Sequence, residues 1–181
     1  MSKVIRKERL YPVPPNVVWE ALTNPAALAE WLMPNNFTAR QGASFEFLTD
    51  PTPVCGSGVT RCEVVELDPC RRMVWTWRRD AGAKGGAPLP MTVAWTLSAE
   101  GTGTRLVLEQ TGLESQNWLV GVLMSIGWGM MLRRSLPRVI ANVSRDGAAR
   151  FTPGAIPLAK RYYRCKSVPM SHLHLTAPAP I

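Results

Sequence analysis

An α+β domain is the fold class this sequence predicts, with an antiparallel meander of about six or seven strands and one long C-terminal helix. Three observations predict it. Short runs of alternating apolar residues follow one another between residues 43 and 111, separated by turn-forming Gly, Pro and Asp. Two proline-opened helical pieces precede them. An uncharged stretch, residues 115–132, follows them and is better read as a buried helix than as a membrane span, because glycines interrupt it and its first residues are polar.

The elements are justified in order. Residues 3–11 alternate weakly and carry several charges, as a solvated or edge strand does. Pro14 and Pro15 stop it, and Val18, Trp19 and Leu22 follow at helical spacing. Asn24-Pro25 restarts a second piece, with Asn24 as cap and Pro25 at the first helical position; Leu28, Trp31 and Leu32 share its face, and Pro34 ends it. Each piece has about two turns, below the ~12–15 residues that a helix needs in water. Tertiary packing must hold them, which predicts that Trp19 and Trp31 are largely buried.

Strands are expected at 43–49 (Phe45 and Phe47 on one face), 58–67, 72–79 (Met73, Trp75, Trp77), 91–97 (Met91, Val93, Trp95, Leu97) and 104–111 (Leu106, Leu108). Asp68-Pro69 supplies one turn, Gly101 and Gly103 another, and the Gly/Pro-rich segment 80–90 a loop. A helix of about 25 residues starts near Ser115 and offers Trp118, Val122, Ile126, Met130 and Leu132; residues 116–136 are expected across the concave face of the sheet, with Gly127 and Gly129 against large neighbours or bordering a cavity. Pro137 should kink or end it. Residues 1–146 form the expected domain, and residues 147–181, with five prolines, an irregular extension.

Composition narrows the function. The net charge of +8 raises a nucleic-acid or acidic-membrane reading, but the arginines come in separated pairs, so a solvated surface with neither partner is expected. Cys55, Cys62, Cys70 and Cys165 have no ligand spacing, and the only histidines, His172 and His174, sit near the C-terminus. No metal, no disulfide and no cofactor are expected, in a reducing cytoplasm. The N-terminal "MSKVIRKERL" lacks the apolar region of a signal peptide. No nucleophile motif, P-loop or dinucleotide fingerprint is present. Arg61 and Glu63 share a strand face. If it looks inward they are a polar anchor for a ligand, and if outward a solvated pair.

Four stretches resemble one known family. "VWEALTNPAALAEWL" resembles its opening, a VW and a second W around a T-[DN]-P turn; "GVTRCEVVELDPCRRMVWTW" its strand–DP–strand hairpin; "GTRLVLEQTGL" its last strand; and "GWGMMLRRSL" its final helix. In this order the chain resembles the Hsp90-ATPase-activator-homologue family of the START-like, helix-grip superfamily, a pattern that polyketide-cyclase-like relatives share. It departs at Pro137, at a helix start whose acidic stretch is reduced to Glu114, and in the tail. The resemblance implies a sheet curled around the long helix with a cavity between them. The cavity wall would then be Trp31, Phe45, Phe47, Trp75, Trp77, Trp95 and Leu106 from the sheet side, and Trp118, Val122, Ile126 and Met130 from the helix. The same residues at the same periods also suit a plain packed core. Three functions stand open: non-catalytic binding of a small hydrophobic molecule, a co-chaperone-like module with a protein partner, and a cyclase- or hydrolase-like enzyme. Either a monomer or a homodimer is compatible with each.

Overall fold

The computed structural model describes residues 4–51, 57–79, 91–114, 118–145 and 147–152. Six antiparallel strands make one curved sheet: β1 (Ile5–Tyr11), β2 (Ser44–Leu48), β3 (Val59–Asp68), β4 (Arg72–Arg79), β5 (Met91–Glu100) and β6 (Gly103–Thr111). Their order is β1-β6-β5-β4-β3-β2. The meander from β2 to β6 follows from its short turns. The pairing of β1 with β6 joins the two ends of the domain, in a register from Ile5↔Gln110 to Tyr11↔Thr104.

The turns are local chemistry. Between β3 and β4, Arg71 N–H donates to the Asp68 carbonyl (3.1 Å), with Pro69 second and Cys70 third at φ 62°. Proline there and a positive φ after it are the signs of a type II turn. Gly58, just before β3, has φ +81°, and a Cβ there would stand 2.2 Å from the Thr49 carbonyl oxygen, so only glycine fits.

The two short helices, α1 (Pro15–Thr23) and α2 (Pro25–Trp31), are each opened by their proline. Asn24 caps α2: its Oδ1 accepts from Ala26 N–H (2.9 Å) and Ala27 N–H (3.3 Å), while its amide donates to Glu20 Oε1 (2.8 Å). Trp31 is buried and ties the pair together, donating from Nε1 to the Ala21 carbonyl (2.9 Å). Trp19 departs from expectation and is only half-buried, because Val17, Val18, Ala21 and Leu22 take the inward face.

The inner face of the sheet carries Phe45, Phe47, Trp75, Trp77, Trp95 and Leu106, all buried. Arg61 and Glu63 lie exposed on the outer face, where Arg61 Nε pairs with Glu46 Oε1 at 3.3 Å; this removes the polar-anchor alternative. A bulge between Val64 and Glu66 then shifts the β3–β4 register. It turns Leu67 toward the core, although strict alternation puts it beside Arg61.

The last helical segment differs most from expectation. It runs as α3 (Trp118–Met130), a π-helical turn (Met131–Ser135) and α4 (Leu136–Ile140). Only Trp128 is buried in α3, whereas Leu132, Ser135, Leu136, Val139 and Ile140 are buried beyond it. The C-terminal half therefore lies on the sheet and the N-terminal half projects from it, instead of all of 116–136 crossing it. The π-turn sits just before Pro137. Leu136 N–H donates to the Met131 carbonyl, five residues back, and Pro137 has no N–H. The Leu132 carbonyl thus loses both helical donors, and the Tyr11 hydroxyl supplies a third at 2.7 Å.

After α4 the chain turns back. Val143 bridges Phe151, and Phe151 N–H donates to Glu20 Oε1 (3.0 Å) on α1. The expected boundary after residue 146 falls inside this return. The rest of the extension, the 80–90 loop, the start of the helix at 115–117, and Cys55, Cys165, His172 and His174 lie outside the described residues.

Candidate functional site

The sheet-side residues proposed for a cavity wall form a packed ring cluster. Trp95 meets Trp31, Trp75 and Trp128 edge to face, at 5.8, 5.6 and 5.5 Å between ring centres. Phe45 and Phe47 pack on Trp75 at 5.6 and 5.9 Å, and Trp77 on Trp128 at 6.0 Å. Such geometry sets positive ring edges against negative faces. Among the described residues, the indole N–H groups of Trp75, Trp77 and Trp95 find no hydrogen-bond acceptor. The surrounding ring faces give them weak N–H···π contacts at best.

Trp128, which sequence reasoning left out of the wall, is the contact between α3 and the sheet. Its Nε1 donates to Gln110 Oε1 at 2.7 Å, and the Gln110 amide reaches Met91 Sδ at 3.4 Å. A glutamine at an inward position of β6, two residues after inward Leu108, was the signal available in the sequence. An amide there needs a partner.

The open space lies beside this contact. A cleft of about 370 Å³ runs between the β1 edge and α3. Val4, Ile5 and Leu113 form its sheet side, and Trp118, Gly121, Val122, Ser125 and Ile126 its helix side. Ile5 pairs with Gln110, so the Gln110–Trp128 bond stands next to the inner end of the cleft. Within the expected wall set, then, Trp118, Val122 and Ile126 border open space, the sheet residues and Trp31 lie in the ring cluster, and Met130 is exposed without lining the cleft. The helical face was misplaced because the glycines and the π-turn interrupt its period; Met124, Trp128 and Leu132 carry the inward side.

The three glycines of α3 are not set against large neighbours. A Cβ at Gly121, Gly127 or Gly129 would meet nothing within 4 Å. Gly121 forms part of the cleft wall.

The electrostatics of the cleft are plain, since Ser125 is the one side chain with a polar atom among its lining residues. The charges stand elsewhere. Glu8 pairs with Arg105 and with Arg6 (3.0 Å) across β1 and β6, and the Arg105 guanidinium holds its carboxyl below the usual range. Burial pushes the Cys62 thiol and the Tyr11 phenol up. Among the described residues, no three His, Cys, Asp or Glu side chains come together as a metal site requires. Nor is any helix among them long and apolar enough to cross a membrane.

Residues 12–141 match the family model described as "Activator of Hsp90 ATPase homolog 1-like protein". The chain belongs to that family. Among solved structures, this family member is similar to protein MLL2253 from Mesorhizobium loti, with 29% identity and a TM-score of 0.65 over 75% of this chain and 95% of that one. It is similar to CV1439 from Chromobacterium violaceum, with 26% identity and a TM-score of 0.58 over 76% of this chain and 96% of that one. The Aha1 dimer from Colwellia psychrerythraea shares the fold, with 15% identity and a TM-score of 0.55 over 72% of this chain and 90% of that one. No curated protein matches the chain.

Proposed function

We propose that this member of the Activator of Hsp90 ATPase homolog 1-like family binds a small hydrophobic molecule without transforming it, in the space between the sheet and the C-terminal helix. The observation that carries the reading is the cleft whose helix wall contains Gly121, where a side chain would project into open space. Its volume, about 370 Å³, lies in the range of small-molecule sites, which are largely apolar with a few polar groups. Ser125 is such a group and suits a ligand with one hydrogen-bonding atom. Acid–base catalysis requires a titratable side chain at the reacting atoms, and none of the lining residues is one. That favours binding over the cyclase- or hydrolase-like alternative. Free Cys62 and Cys70 fit a reducing compartment, and we place the protein in the cytoplasm.

The test is titration with a panel of apolar fluorescent probes, read by probe emission and by tryptophan emission. Trp118 in the cleft wall is the expected reporter. Wild type should bind saturably. Gly121→Leu should weaken binding at least tenfold while leaving the melting temperature unchanged or higher. Equal binding by both proteins, or none by wild type, refutes the reading.

A further inference from the structure

Beyond the cleft, α3 has a second apolar face. Leu119, Leu123, Ile126 and Met130 follow at spacings of four, three and four, and each is about half exposed. This is the 3.5-residue repeat by which one helix packs along another. No charged residue occurs in α3, and the repeat stops at exposed Arg133 and Arg134. Only Ile126 belongs to both the repeat and the cleft.

We propose that this stripe is a homodimer interface, in which α3 of one copy packs antiparallel against α3 of a second. Two features select a second copy. One is area: with neighbouring Trp118 and Val122, the stripe exposes roughly 600 Å² of apolar side chain, at the upper limit for a monomer, and two copies reach the ~1,200 Å² at which stable interfaces begin. The other is charge. The midpoint of the stripe lies between residues 124 and 125, and a two-fold axis there brings Arg133 and Arg134 of each copy to the end where the other has exposed Glu114. A parallel pair sets the arginines against each other. The uncharged stripe also lets two chains of net charge +8 meet without like charges at the centre.

Sedimentation of the full chain from about 1 to 100 µM tests this, because a dimer held by mass action must dissociate on dilution. Wild type should be a dimer in the upper part of that range. Leu123→Glu should weaken it at least tenfold, with an unchanged far-UV circular dichroism spectrum; Leu123→Asn serves if the glutamate disturbs folding. Arg134→Glu should also loosen the dimer, and adding Glu114→Arg should restore it. A wild-type monomer at 100 µM overturns the proposal, including one in which the chain's own C-terminal segment covers the stripe. So does a dimer indifferent to both Leu123 variants, or a charge reversal that does not restore association. Oligomeric state is read without ligand, so this result is independent of the cleft experiment.

Discussion

Tyr11→Phe deletes one oxygen atom, and the structure says what that costs. The hydroxyl donates to the Leu132 carbonyl at 2.7 Å, with Tyr11 only 5% exposed. That carbonyl has no other helical donor, because Leu136 N–H goes to Met131 and Pro137 has none. The variant therefore leaves a buried acceptor unpaired while the ring still fills its site. Such an acceptor costs its desolvation, about 1–3 kcal/mol. A loss near 2 kcal/mol corresponds to a fall in Tm of roughly 4–8 °C for a domain of this size. Urea unfolding, followed by far-UV circular dichroism, should show a lower midpoint with an unchanged slope. The decisive step is a double-mutant cycle with Pro137→Ala. Alanine restores an N–H that can reach the Leu132 carbonyl, so Tyr11→Phe should cost less in that background, by about 1 kcal/mol or more. A loss under about 0.5 kcal/mol, or equal losses in both backgrounds, refutes the argument that Pro137 orphans this carbonyl.

Four other outcomes follow from the geometry. Trp95→Ala, at a residue touching three other indoles, should cost about 3–5 kcal/mol by thermal or urea unfolding; a tolerated change contradicts a packed ring cluster. Gly127→Ala, in open space on α3, should raise stability by about 0.5–1 kcal/mol in the same assay. Burial raises the Cys62 pKa, so the folded state keeps a proton that the unfolded chain releases above about 8.5; stability is whole below that pH and falls as pH rises through it, and Cys62→Ala should flatten the alkaline slope of a pH–stability series. Arg61→Ala, at an exposed ion pair on the outer face, should change stability by less than about 1 kcal/mol and leave probe binding intact.

The sequence by itself determined the fold class, the six strands and their faces, because each rests on local rules. Alternation put Phe45, Trp75, Trp77 and Trp95 on one side, and proline positions opened both short helices. Asp68-Pro69 marked its turn for the same reason. Where one non-local event intervened, the local rule failed. The bulge after Val64 reversed Leu67, and the faces of the last helix were read from an unbroken period that the π-turn before Pro137 does not keep.

Only the tertiary structure decided where space remains. Periodicity marks a residue as apolar and sided, and a packed ring satisfies that as well as a ring facing a ligand. The distinction depends on what stands opposite. Trp75 and Trp95 meet other rings, whereas Trp118 and Gly121 meet a cleft, because Trp128 and its bond to Gln110 anchor α3 at one end and leave the other projecting from the sheet. The donor to the Leu132 carbonyl lies 121 residues away in sequence, at Tyr11, and no local pattern could supply it. It exists because the first strand pairs with the last and brings Tyr11 under the helix that Pro137 interrupts.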